Sequence, residues 1–252
     1  MNYINNSPVP DNNKDKQSLS EFVYELERLY TISYLGINAS GQPILNNASY
    51  PSQRRFQSLN DYVNALFSVY SRYIVLRVDL KYSREFSPVT TLQEAQADLS
   101  HFFANMRHNH LFKDLKGYIW KLEEGEKNEG YHFHLIFFYI NEHTRNDSYY
   151  VEKIGKYWQS VITHGRGSYF SPHRAKYKAQ LETRLHTSFL GLVNYYDEKK
   201  RYGLLNYLAY ICKDEQALTN KPSRTRIIGH GKFPDLSEIS PGRPRKYSEL
   251  EL

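Results

Sequence analysis

Residues 117–140 read GYIWKLEE, GEKNEG, YHFHLIFFYI, and this stretch decides the fold. Gly117 to Glu124 and Tyr131 to Ile140 are rich in aromatic and branched apolar residues, which favour extended backbone. The polar, glycine-bounded link between them predicts an antiparallel hairpin. Successive side chains of a strand point to opposite faces, so His132 and His134 share one face while Phe133, Leu135 and Phe137 share the other. Two imidazoles held this way can each offer a ring nitrogen to a divalent ion. The wet face of a half-buried strand can also carry such a pair with no ion.

The first arm of the hairpin ends in Glu123 and Glu124, close to the histidines across the link. Alternation sets Ile119, Lys121 and Glu123 on one face and Tyr118, Trp120, Leu122 and Glu124 on the other. The second face is the more apolar and reads as core, which leaves Glu123 beside the histidines; Glu124 is the alternative. Two histidines and one carboxylate suit Mg²⁺ or Mn²⁺ and leave positions open for a phosphate.

Working outward, YIVLRVDLKY (Tyr73 to Tyr82) is another apolar strand, and Asp79 on it is either structural or near the site. Leu92, Ala95, Leu99, Phe102, Phe103 and Met106 recur at helical spacing after Thr91, a plausible N-cap. A helix over Tyr150 to Ile162, a strand over Phe189 to Tyr196 and a last helix over Glu198 to Lys213 follow. Upstream, a helix is expected over Ser18 to Leu35, a loop over Gly36 to Arg55 and a short helix over Leu59 to Tyr70. The expected organisation is a disordered segment 1–17, a helical extension 18–70, a core 71–216 and a basic extended tail 217–252. The fold class is α+β, with an antiparallel sheet of about five strands flanked by helices.

Composition narrows the partners. The 252 residues carry a net charge of +6, which is compatible with nucleic acid without establishing it. The single cysteine, Cys212, excludes an internal disulfide and a cysteine-rich zinc site. No apolar run approaches the roughly 18 residues that span a bilayer, and the first residues lack the pattern of a secretion signal. A cytoplasmic protein without a membrane partner or small-molecule cofactor is expected.

A metal site that acts on a phosphodiester also needs a nucleophile. In the last helix, NYLAYICKD (Asn206 to Asp214), Tyr207, Tyr210 and Asp214 share a face with Lys213 at its margin. A phenol with a pKa of about 10 is a weak nucleophile. A metal-bound phosphate and a nearby ammonium would compensate. The same tyrosines would equally suit the boundary of an amphipathic helix.

YIWKLEEG, GYHFHLIFF and YICKDEQ, in that order, resemble the sheet carboxylate, the His-hydrophobic-His motif and the Tyr-x-x-Lys motif of HUH endonucleases. The chain looks most similar to inovirus-type gene II replication initiators and the YagK/YfjJ C-terminal-domain group, over residues 70 to 246. VLRVDLKY, IGKYWQSVITHGRGSYF and GRPR also resemble that group. The resemblance implies a five-stranded antiparallel sheet, Glu123, His132 and His134 as metal ligands, Tyr210 as nucleophile and Lys213 as its assistant. It implies rolling-circle nicking and joining of single-stranded or hairpin origin DNA through a 5′-phosphotyrosine, in the cytoplasm of a bacterial host. One departure counts: two-tyrosine initiators usually space their tyrosines four apart, whereas Tyr207 and Tyr210 are three apart and position 206 is Asn. A single-tyrosine enzyme led by Tyr210 is expected, with Tyr207 the alternative.

Arg166 and Tyr169 in GRGSYF, and Arg243, Arg245 and Lys246 in PGRPRK, are candidate DNA contacts. GRGSYF reads equally as a turn into a strand, and PGRPRK as a solvated tail. The remaining histidines, His173 and His230 among them, show no metal-like pairing. No P-loop pattern occurs, so unwinding and synthesis would fall to a host helicase and polymerase. Two other readings stay open: an inactive DNA-binding regulator of the same fold, or an unrelated metal-dependent phosphodiesterase.

Overall fold

Eleven consecutive residues, Arg72–Tyr82, form the longest strand, β3, and the molecule is built on it. The computed structural model describes residues 34–125, 130–140, 146–175, 177, 179, 188–213 and 225–236. Two three-residue strands, β1 (Leu35–Ile37) and β2 (Pro43–Leu45), form a separate antiparallel pair. Helix α1 (Tyr50–Val69) leads into β3, and α2 (Leu92–Met106) leaves it. The hairpin strands β4 (Leu115–Glu124) and β5 (Tyr131–Tyr139) follow, then α3 (Asp147–Tyr157), β6 (Gly167–Phe170), β7 (Gly191–Asn194), α4 (Glu198–Cys212) and β8 (Ile228–His230).

The main sheet has six antiparallel strands in the order β6, β3, β5, β4, β8, with β7 also on β3. The extra strand beyond the expected five arises because two short strands share one edge of β3. β7 pairs with residues 72–75 of β3 and β6 with residues 79–82. In the gap, the Arg77 N–H donates to His173 Nε2 at 3.0 Å, so an imidazole completes the ladder where no strand reaches. His173 Nδ1 in turn lies 3.0 Å from Asp147 Oδ2, at the start of α3.

Both faces of the sheet are core. Ile74, Leu76, Val78, Leu122, Phe133, Leu135 and Phe137 pack with α2 and α3. Val75, Ile119, Ile136 and Phe138 pack with α1 and α4. The hairpin, the strand after Arg72 and the Thr91 cap, with its reciprocal Glu94, match the sequence reading. The expected loop 36–55 does not: it holds β1, β2 and the start of α1. Ser49 caps that helix through the Ser52 N–H, and Pro51 in the first turn costs no hydrogen bond. Leu35, expected to end a helix, lies in β1; residues 18–33 of that expected helix and the segment 1–17 lie outside the described residues. Residues 228–230, expected in the tail, form the strand beyond β4. No described helix is long and apolar enough to cross a membrane.

Tyr169 of β6 lies flat on Gly155 of α3: a Cβ there would fall 2.2 Å from the tyrosine ring. Alanine ordinarily stabilises a helix over glycine by about 1 kcal/mol. Here the clash falls at Cγ and Cδ2, at the base of the ring rather than at a flexible far end, and Gly155→Ala is expected to destabilise by about 1–3 kcal/mol net, read as a lowered denaturation midpoint.

Candidate metal centre

Strand register assembles the site. Glu123 of β4 stands directly opposite His132 of β5, and His134 stands between Lys121 of β4 and Asp79 of β3. Glu123 Oε2 lies 3.0 Å from His134 Nε2 and 3.4 Å from His132 Nε2. The three candidate ligand atoms all fall within 4.8 Å of one another, and among the described residues this is the group that could hold a metal ion. Donors about 2.1 Å from one ion at right angles to each other would be about 3 Å apart, so the spacing fits. Glu123 and His134 are 3% and 7% exposed, whereas the His132 side chain is 21% exposed and marks the side open to ligand.

The orientation of His134 supports the same fit. Its Nδ1 lies 2.8 Å from Asp79 Oδ1, so the ring turns Nε2 toward Glu123, the arrangement that orients a ligating histidine from behind. Asp79 is itself held by two hydrogen bonds from the Arg77 guanidinium, at 3.1 and 2.8 Å. Burial alone would lower the His134 pKa, but Asp79 and Glu123 outweigh it and push it up to about 10. Burial alone would raise the carboxyl pKa of Glu123, but His134 and His132 hold it well below the usual carboxylate range. Without an ion, a shared proton therefore takes the place of the positive charge. Asp79→Asn is expected to weaken metal binding about 10- to 100-fold, measured by titration of the full chain, because the outer partner of His134 loses its charge.

Glu123 rather than Glu124 stands in the cluster, though not because its face is the less covered one. Both faces are packed, and the Glu123 face is the more buried at this position. Glu124, one residue on, lies outside the cluster.

Helix α4 packs on the same face of the sheet as the cluster. The Asp197 side chain caps it by accepting from Lys200 N at 3.1 Å. Tyr207 lies under the Arg77 guanidinium, 4.5 Å from ring centroid to Cζ, and stacks on Phe189. Tyr210 is 6.2 Å from Tyr207 and 5.8 Å from Tyr34, ring to ring. The Lys213 ammonium sits 4.2 Å over the Tyr34 ring, so it approaches Tyr210 by way of Tyr34. The two helix tyrosines are 1% and 5% exposed. On the sheet, Lys121 reaches up from beside His134 and donates to the Ile211 carbonyl at 2.9 Å.

Among the candidate DNA contacts, Arg166 forms an ion pair with Asp98 at 2.9 Å, and Asp98 also accepts from Tyr82 at 2.7 Å. Tyr169 is half-buried against α3, and GRGSYF enters strand β6 through a turn at His164 and Gly165. Arg243, Arg245, Lys246 and Asp214 lie outside the described residues. Sequence reasoning missed Arg77, Tyr34 and His173. Alternation could have put Arg77 on the face of Asp79, but nothing local points to Tyr34 or His173. Comparisons of the chain with family models, with curated proteins and with solved structures find no match.

Proposed function

We propose that this protein is a divalent-metal-dependent enzyme of the HUH type that nicks and rejoins single-stranded or hairpin DNA to start rolling-circle replication. The observation that carries the reading is that the Glu123, His132 and His134 cluster and the tyrosine-bearing helix α4 lie on one side of the sheet. Glu123, His132 and His134 would hold Mg²⁺ or Mn²⁺, which when bound supplies positive charge to the phosphate under attack. Asp79 keeps the His134 ring turned to its task, and Arg77 keeps Asp79 charged.

The Tyr210 oxygen attacks phosphorus as the bond from phosphorus to the 3′ oxygen breaks. The phenol proton ends on the departing 3′-hydroxyl, and the 5′ phosphate stays on the protein as a phosphotyrosine. Lys213 favours the phenolate, and Tyr34 must yield for DNA to reach Tyr210. Arg243, Arg245 and Lys246 would follow the DNA backbone, and a helicase and polymerase would act on the nicked product.

The deep burial of Tyr207 and Tyr210 favours a second reading, a metal-dependent phosphodiesterase whose nucleophile is water. The test is to incubate the full chain with labelled single-stranded origin-region DNA, with Mn²⁺ or EDTA, on denaturing gels. A metal-dependent protein–DNA adduct supports the nickase. Cleavage without an adduct supports the second reading. Binding without cleavage supports a DNA-binding regulator.

A further inference from the structure

We infer that Lys121 is a positioning residue that clamps the last turn of α4 over the metal strands and so sets where Tyr210 stands; this rests on the nickase reading. The last carbonyls of a helix have no partner within it. One of them, that of Ile211, accepts from the Lys121 ammonium at 2.9 Å, across 90 residues of chain. A cation at a helix C-terminus is also favoured by the helix dipole. Lys121 is only 2% exposed, and burying an ammonium is costly where an apolar side chain would fill the same space. Its place explains the cost: Lys121 is two residues from Glu123 on β4 and in register with His134, while Ile211 follows Tyr210 directly. One hydrogen bond therefore ties the nucleophile's turn to two of the three ligands. From the β3 side, Arg77 bears on the Tyr207 ring, one turn earlier in the helix. A rigid tie of this kind matters because a misplacement of about 1 Å can cost a reaction about 100-fold.

Cys212 offers a readout independent of activity. It is the chain's single cysteine, fully buried, and it follows Ile211. In the full chain, Lys121→Met is expected to speed labelling of Cys212 by a neutral thiol reagent at least about tenfold, as the last turn opens locally. Adduct formation with single-stranded DNA should slow about 10- to 100-fold. Mn²⁺ affinity should not fall, since Lys121 is no ligand and its loss removes a positive charge from beside the ion, and DNA binding in EDTA should stay within about twofold. Lys121→Arg, which keeps a donor, should restore both protection and rate.

A folded Lys121→Met protein with wild-type Cys212 protection overturns the inference, as does a loss of Mn²⁺ affinity that parallels the loss of rate. If Lys121→Met does not fold, Lys121→Gln, a shorter polar side chain, is read by the same criteria. If the wild-type protein makes no adduct, the nickase reading fails. The labelling contrast then still decides whether the clamp exists.

Discussion

Replacing His134 with alanine is expected to abolish metal uptake and to cost the metal-free protein about 3–5 kcal/mol, the usual penalty for removing one partner of a buried ion pair. His134 stands between two carboxylates that are each less than a tenth exposed. Asp79 would keep the Arg77 guanidinium at 2.8 Å, whereas Glu123 would lose the shorter of its two histidine contacts and keep the longer one to His132 at 3.4 Å, so most of the damage should fall on Glu123. Urea unfolding in EDTA measures it.

The pH dependence gives a sharper check. A group whose pKa is raised by folding stabilises below its unfolded value, so the His134 contribution is full below 6.5 and is lost as pH climbs through about 10. Glu123 and Asp79 are lowered by folding, so their contributions are present above 4.5 and 3.8 and are lost on acidification. The cluster should therefore stabilise the metal-free protein most between about pH 4.5 and 6.5, and His134→Ala should erase the alkaline decline. Metal affinity should run the other way, weakening about tenfold per unit as pH falls below 10, because the ion must displace the His134 proton. A metal affinity independent of pH over that range would mean that His134 is not a ligand.

Tyr210→Phe is expected to remove the covalent adduct completely while costing stability only about 1 kcal/mol, the loss of a hydroxyl at a packed ring. The phenyl ring keeps its place against Tyr34 and Tyr207. Tyr207→Phe also preserves its ring over Arg77, and the adduct should persist at a reduced rate. Gel assay and mass spectrometry of the linked peptide distinguish the two tyrosines. An adduct that survives Tyr210→Phe and disappears with Tyr207→Phe would transfer the nucleophile to Tyr207. Cleavage that survives both without an adduct would leave water as the attacking group.

The three candidate ligands were legible in the sequence because strand geometry is local. A two-residue period puts His132 and His134 on one face, and a six-residue link sets the last residues of the first arm, Glu123 and Glu124, opposite the first residues of the second. Choosing between those glutamates was a different matter. Apolar residues on one face mark it as covered, yet α1 and α4, far apart in the chain, cover the Glu123 face as well. Sequence periodicity records which residues share a face and not what is laid over it.

The hairpin, the long strand, the capped helix and the histidine pair were thus set by residues within a few positions of one another, whose alternation and caps act through the local backbone. Tertiary structure alone decided the remainder. It brought Asp79 behind His134 from 55 residues away, Arg77 onto Tyr207, Lys121 onto Ile211 and His173 into the gap in β3. Those contacts depend on strand register and helix docking, which are set by the burial of whole faces at once. A charged side chain carries no local mark of the distant partner that makes its burial tolerable.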